Sequence, residues 1–193
     1  MRHFVYFSKN ARTSGNFSVD KLMNAGRMDI AIHVIISSFF LSRDFRKDVK
    51  LHLIFYGPPD PPKHIEMQVT SALEISKKDA ANLIKKILYK YRKGKKTEVF
   101  PKCFVEKKSF LKVAEELFED GKKIFILDEK GHDIRKIKIP KDCVFILGDH
   151  EGLPKKELRR LKKISTPVSI GPKTYFASQV VAIVNNELDR IGV

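Results

Sequence analysis

Two glycine-bearing stretches carry the residues best suited to chemistry: Val144-Phe-Ile-Leu-Gly-Asp-His-Glu-Gly-Leu-Pro154 and Pro167-Val-Ser-Ile-Gly-Pro-Lys-Thr-Tyr-Phe-Ala-Ser178. Each starts as an apolar run and ends in glycine and proline, the pattern of a buried strand that empties into a loop with exposed backbone. Ile124-Phe-Ile-Leu127 supplies a third strand end of this kind. In an open α/β sheet the crevice beyond the carboxyl ends of the strands is where ligands bind. Three such loops side by side are therefore expected to hold a small cofactor. Elsewhere, Asp60 stands between two proline pairs in Gly57-Pro-Pro-Asp-Pro-Pro62. Prolines fix φ and stiffen that loop, which suits a carboxylate that must meet its partner at hydrogen-bond distance. Aspartate is also a common turn former, so the two roles compete. Asp149 and Glu151 are rival carboxylates beside a glycine loop, and Glu151 serves equally well to orient backbone there. Arg27 is the candidate for gripping phosphate or a base, because a guanidinium meets phosphate bidentately. Ser14 and Asn16 are its hydrogen-bonding company, and Asp29 would fix it or cap the helix that follows.

Several other chemistries have no footing. His33 lies in an apolar stretch and reads as core, His52 and His64 have no acid or nucleophile partner that the sequence reveals, and His150 has no evident role. Cys103 and Cys143 form no close pair and show no Cys/His ligand spacing, so no metal is expected and a reducing compartment suits them. There is no glycine-rich run ending in Gly-Lys-Ser/Thr and no Gly-x-Gly-x-x-Gly fingerprint.

Thirty-eight Lys and Arg against 23 Asp and Glu leave a net charge of +15. Thermal adaptation enriches both signs together; this excess is lopsided and points to a polyanion such as nucleic acid. The longest apolar stretch, Ile30 to Leu41, is interrupted by His33, Ser37 and Ser38 and is too short to span a bilayer. The first eight residues are too short an apolar run for a signal peptide. A cytoplasmic protein without a membrane partner is expected, and 193 residues suit a single domain, 1–193.

The elements that must position these residues alternate. Strands are expected at Phe4–Phe7, Val49–Tyr56, Ile65–Val69, Ile124–Leu127, Cys143–Leu147 and Ile164–Ile170. Helices are expected at Met28–Ser42, Ser109–Phe118, Leu153–Leu161 and Tyr175–Arg190. One more begins at the capping-box spacing Ser76-Lys-Lys-Asp79, carries apolar residues from Ala80 to Tyr91 at 3-and-4 spacing, and stops near Gly94. Asp128–Gly131 reads as a turn and Ile134–Ile139 as an exposed hairpin arm. The alternation implies an α/β fold with a largely parallel sheet flanked by helices. Nine basic residues against one acid between Lys77 and Lys96 exceed what a helix dipole calls for, and with the basic run Lys155–Lys163 they suit a phosphate grip.

At the two glycine loops and the closing helix, with its Asn185-Asn-Glu-Leu-Asp-Arg190, the sequence resembles the SPOUT class of S-adenosylmethionine-dependent RNA methyltransferases. A narrower resemblance, to archaeal tRNA pseudouridine-54 N1-methyltransferases, rests on Thr13-Ser-Gly15, Ala25-Gly-Arg-Met-Asp29 and Gly57-Pro-Pro-Asp-Pro-Pro62 and covers essentially the whole chain. The resemblance implies a C-terminal trefoil knot, a homodimer, S-adenosylmethionine bound by the knot loops, and tRNA as substrate. Connection rules alone would not suggest a knot. A purine and a sulfonium-bearing amino acid need backbone groups at close range, which glycine permits. The cofactor set expected on that basis is Leu127, Gly148, Gly152, Leu153, Ile170, Gly171, Tyr175, Phe176 and Ala177, with Leu127, Leu153 and Ile170 around the adenine. Asp60 is the candidate catalytic residue, accepting or stabilising the charge of the N1 proton. Arg27, Ser14 and Asn16 are the candidate substrate-binding residues. Two alternatives stand beside this: the same chemistry on pseudouridine in ribosomal RNA, and a non-catalytic RNA-binding module of the same fold.

Overall fold

The computed structural model describes residues 1–70 and 79–193. Eight strands form one sheet: β1 (Arg2–Ser8), β2 (Val49–Phe55), β3 (Lys63–Met67), β4 (Thr97–Phe100), β5 (Cys103–Glu106), β6 (Lys123–Asp133), β7 (Cys143–Gly148) and β8 (Ser165–Ser169). Their order is β4-β5-β3-β2-β1-β7-β6-β8. From β2 to β8 every pairing is parallel, whereas β3, β5 and β4 extend the sheet antiparallel. The expected parallel sheet is thus seen in the half that carries the glycine loops.

Five helices cover it: α1 (Met28–Phe39), α2 (Ala80–Tyr89), α3 (Phe110–Glu119), α4 (Lys155–Leu161) and α5 (Ala177–Ile191). Alternation along β1 divides the core between its two faces. Phe4 and Tyr6 join Met28, Ile35, Ile84, Val181 and Leu188 under α1, α2 and α5. Val5 and Phe7 join Phe110, Val113, Leu117 and Leu161 under α3 and α4. Burial on both faces explains why Phe4–Phe7 of β1 and Cys143–Leu147 of β7 read as continuous apolar runs, whereas β2 keeps Lys50 and His52 in its first half.

Three local expectations change. The helix expected at Met28–Ser42 ends at Phe39, because Phe40 turns out to bridge Phe45 and pack edge-on against its ring. The expected turn at Asp128–Gly131 is a bulge inside β6: Leu127 and His132 both lie opposite Val168. Gly131 allows that bulge, since a Cβ there would sit 2.4 Å from the Val168 amide nitrogen. The expected exposed arm at Ile134–Ile139 is instead a short 3₁₀ turn, Ile134–Lys136, with Ile134 and Ile139 both buried in the core. Of the capping-box residues, Ser76 to Lys78 lie outside the described residues, and α2 itself begins as expected at Ala80.

Candidate active site

β6, β7 and β8 end side by side, and a cleft of about 250 Å³ opens beyond their carboxyl ends. Of the nine expected cofactor residues, Leu127, Gly148, Ile170, Gly171, Tyr175 and Ala177 line it. The other three lie nearby in sequence but outside the lining. Leu153 packs on the opposite side of the sheet, against the cluster of Val5, Phe7 and Leu161. Phe176 precedes α5 with its ring turned outward, 78% exposed. Gly152 stands behind Gly148: a Cβ at position 148 would meet the Gly152 carbonyl carbon at 2.7 Å. Sequence reasoning missed Asp128 and Glu129, which bring two carboxylates to the rim, and Thr174, which donates to Glu129 across the mouth at 3.3 Å. Their only signal was position, immediately after Leu127.

The turn at 149–152 is held from below. Asp149 accepts hydrogen bonds from Ser8 Oγ (2.9 Å), the Lys9 amide (3.0 Å) and the Glu151 amide (2.9 Å). All of these partners are its own or neighbouring loops, so Asp149 anchors the turn. Glu151 pairs with Lys9 Nζ at 2.5 Å and accepts from the Asn10 side chain, tying the turn to the loop after β1 through side chains and not backbone.

Asn10 connects this turn to a second cluster of loops. Its carbonyl oxygen packs beneath Gly26 and Gly57, where an added Cβ would sit 1.7 Å and 2.2 Å away. Only glycine fits at either place, and Gly26 also has φ +70°, in the left-handed region. The Thr13 amide donates to Pro58 O (3.0 Å) and its hydroxyl to Gly57 O (3.0 Å), while the Asp60 amide donates to Thr13 Oγ1 (2.9 Å). Residues 10–16, 26–29 and 57–62, far apart in sequence, therefore form one surface next to the turn at 149–152. Tyr6, buried between them, feels the charge of Asp149 on one side and of Asp29 and Arg27 on the other; burial and the carboxylates raise its pKa.

Arg27 holds a left-handed backbone (φ 62°, ψ 42°), rare for a residue with a side chain and shared, among the described non-glycine residues, only by Lys102 (φ 59°). Its Nε and Nη2 donate to Asp29 at 3.1 and 3.0 Å. Asp29 thus fixes Arg27, and its pKa is lowered chiefly by that hydrogen bond. Asp60 is clasped by two ammonium groups. Lys63, its side chain 1% exposed, donates to it at 2.6 Å, and Lys107, 42% exposed, donates from the solvent side. The bonds from Lys107 and then Lys63 pull its pKa down to about 2. Ser14 is half-buried and Asn16 exposed on the same loop. Gly15 packs against the Tyr89 ring and the Lys85 carbonyl of α2; Lys85 Nζ is tied to Phe17 O at 2.8 Å, while Lys86 and the C-cap Lys90 are exposed.

Comparison with known proteins decides what class of machinery this is. A family described as "Putative SAM-dependent RNA methyltransferase" matches residues 1–193. The chain belongs to this RNA methyltransferase family. The Pyrococcus abyssi protein named tRNA (pseudouridine(54)-N(1))-methyltransferase is 37% identical over 204 residues, covering 100% of both chains. The protein of the same name from Methanococcoides burtonii is 35% identical over 195 residues, covering 98% of this chain and 96% of that one. Among solved structures, Archaeoglobus fulgidus Nep1 bound to S-adenosylhomocysteine superposes with a TM-score of 0.64, at 15% identity and 98% coverage of each chain, a likeness of fold.

The methyl donor of the family is S-adenosylmethionine, and the cleft suits it. Leu127, Leu147, Ile170 and Val180 give apolar walls for a purine. Gly148 and Gly171 let the Gly152 backbone and the Tyr175 ring close in to form the cleft, and Asp128 and Glu129 offer acceptors for hydroxyls and for a cationic ligand. Among the described residues, no helix is long and apolar enough to cross a membrane.

Proposed function

We infer that this protein transfers the methyl group of S-adenosylmethionine to N1 of pseudouridine 54 in the T-loop of tRNA. The observation that carries the reading is the junction at Asn10. One carbonyl packs under Gly26 and Gly57 while its side chain bonds Glu151, so the loops of Arg27 and Asp60 abut the turn beside the cofactor cleft. The full-length likeness to relatives named for this activity gives the substrate.

In pseudouridine the ribose is joined through carbon, so N1 bears a proton. The carbon–sulfur bond of the donor breaks, the N1–methyl bond forms, and the proton leaves N1. The products are N1-methylpseudouridine, S-adenosylhomocysteine and one proton. S-adenosylmethionine supplies the electrophilic methyl group; the protein binds, orients and handles the proton. Asp60 is the acceptor in this reading, and its surroundings set a condition. A carboxylate held to a pKa near 2 is a weak base, so Lys107, the exposed partner, must turn aside when RNA arrives. Lys63, buried, stays and orients the carboxylate. Arg27, pre-set by Asp29, grips the target nucleotide with help from Ser14 and Asn16. Presentation of N1 calls for the nucleotide to be turned out of its loop. The exposed lysines of α2 hold phosphates, and Gly152, Leu153 and Phe176 join the cofactor site only if the turns around the cleft close on the donor.

The same reading takes residues 1–193 as one methyltransferase domain with a C-terminal trefoil knot, acting as a homodimer in the cytoplasm; methyl transfer itself needs no metal. The test is transfer of labelled methyl to tRNA transcripts carrying uridine or pseudouridine at position 54. Incorporation only into the pseudouridine form supports the proposal. Preference for a ribosomal RNA pseudouridine, or no incorporation into any RNA, overturns it.

A further inference from the structure

A second polar cavity lies at the opposite end of the parallel strands from the cofactor cleft, among residues that methyl transfer does not use. It has a volume of about 500 Å³ and is lined by His3, His52, His64, Glu66 and neighbouring lysines. We propose that His52, His64 and Glu66 bind a divalent transition-metal cation that prefers nitrogen and oxygen ligands, with zinc the best chemical match.

Sheet order creates the cluster. β1, β2, β3 and β5 are neighbours, and one face of them carries His3, His52, His64 and Glu106 in a row. The imidazoles lie nearly parallel, 13° and 12° between planes, with centroids 5.4 and 5.2 Å apart. His3 Nδ1 is 3.1 Å from His52 Nε2, His52 Nδ1 is 3.0 Å from His64 Nε2, and His64 Nδ1 is 3.1 Å from Glu106 Oε1. Glu66 stands opposite His52 across the β2–β3 pair and two residues along from His64. One ligand atom from each of His52, His64 and Glu66 lies within 4.8 Å of the others.

The hydrogen-bond partners assign the lone pairs. Glu106, also paired with Lys108 at 2.9 Å, accepts from His64 Nδ1–H, which leaves His64 Nε2 without a proton. A carboxylate behind a histidine is the usual support for a metal ligand. His52 Nε2–H can likewise donate to His3 Nδ1, which leaves His52 Nδ1 as a second lone pair facing the first. In that tautomer a cation satisfies both nitrogens; in the other, His52 Nδ1–H donates to His64 Nε2, and the metal must displace that hydrogen bond. Around a tetrahedral zinc ion with bonds of about 2.0–2.1 Å, neighbouring nitrogens sit roughly 3.3 Å apart. The observed 3.0 Å needs to widen by only a few tenths of an ångström. Burial favours the neutral, ligating form of both imidazoles. The cavity supplies room for water as a fourth ligand.

The competitors are also visible. Lys50 at 3.3 Å and Lys96 at 3.0 Å now pair with Glu66. Both are part-exposed and can turn to solvent, so the metal and the ammonium groups compete for one carboxylate. The sequence alone, from which no metal is expected, does not show that β2 and β3 bring these residues together.

The test uses the full chain, treated with chelator and then titrated with Co²⁺ alone, with Zn²⁺ as displacing ion. The expected result is one equivalent of cobalt per chain with ligand-field absorption of a nitrogen/oxygen site, bleached by zinc, and a melting temperature that rises with zinc. His64→Gln and Glu66→Gln should weaken binding at least tenfold. Lys96→Ala, which removes a competitor and keeps every ligand, should tighten it about threefold or more. Should the histidine variant fail to fold, the lysine variant still decides. No cobalt spectrum and no thermal shift in the parent chain overturn the proposal, as does binding that is unchanged in the Glu66 and Lys96 variants. In that case the row is a hydrogen-bonded chain of neutral imidazoles and nothing more. Methylation of tRNA is unaffected by either outcome.

Discussion

Replacing Gly148 with alanine tests the cofactor cleft at its narrowest backbone contact. The new Cβ would lie 2.7 Å from the carbonyl carbon of Gly152 and 3.0 Å from its Cα. Comfortable carbon–carbon contact begins at about 3.5 Å, so the 149–152 turn must retreat by roughly 0.5–0.8 Å. That turn cannot move freely. Asp149 ties it to Ser8 and Lys9, its amide donates to Phe7 O at 3.0 Å, and Gly152 N–H donates to Asp149 O at 2.9 Å. Forcing extra volume into a tight contact typically costs about 1–3 kcal/mol. Where that cost falls on the geometry that accepts the donor, it appears as about a 10- to 100-fold weaker dissociation constant for S-adenosylhomocysteine, measured by calorimetry. The melting temperature should fall by a few degrees. Gly94→Ala is the control. It also has positive φ, +74°, but nothing lies within 4 Å of its Cβ, so it should cost stability and leave cofactor affinity alone. A Gly148→Ala protein that binds S-adenosylhomocysteine within threefold of the parent would refute the reasoning.

Three more outcomes follow from the same geometry. Asp60→Asn should lower turnover on pseudouridine-bearing tRNA at least tenfold with cofactor affinity unchanged, and turnover within threefold of the parent removes Asp60 as acceptor; because Lys107 and Lys63 hold its pKa near 2 in the free enzyme, kcat/KM should show no Asp60 limb between pH 7 and 5, whereas a limb near 4 in kcat would mean that bound RNA has displaced Lys107. Arg27→Gly relieves a left-handed backbone worth about 1 kcal/mol and gives up an exposed ion pair worth little, so its melting temperature should stay within a few degrees of the parent while methyl transfer drops at least tenfold; a large loss of stability instead would make Arg27 a structural residue. Burial, helped by Lys50 and Lys122, lowers the His3 pKa to about 4. The unfolded chain then takes up this proton first as pH falls below the ordinary 6.5, so the stability contributed is present above that value and lost on the way down to 4. The loss from this one group is on the order of 3 kcal/mol, read by urea unfolding at pH 7, 5 and 4 in the presence of chelator; a flat profile, or an equal slope in His3→Gln, counts against it.

What the sequence made legible tracks how a strand is buried. β7 is covered on both faces, and its apolar run ending in Gly148, together with the runs Ile124–Leu127 and the one before Gly171, predicts both the strands and the cleft beyond them. β4 and β5 were not foreseen: each has four residues, too short a stretch to show a period, and lies at the antiparallel margin with Glu98 or Glu106 in it. The bulge in β6 escaped because Asp128-Glu-Lys-Gly131 has turn chemistry, and only its pairing with Val168 keeps it in the sheet. Leu153 was read as an adenine wall from its place beside Gly152, but a one-residue step after the turn aims it at the other face. Nothing local could tie Asn10 to Gly26 and Gly57, or His3 to His52 and His64; those contacts exist only once strand order is known. The resemblance of three short motifs pointed to one place, and the carbonyl of Asn10 is the physical reason they meet.

The most direct measurement is a calorimetric titration of the parent chain with S-adenosylhomocysteine, repeated with the Gly148→Ala protein. The account predicts saturable binding at one site per chain in the parent and clear weakening in the variant. Absence of heat together with no saturation in an independent competition against S-adenosylmethionine would contradict it, because the three strand-end loops would then enclose no methyl donor.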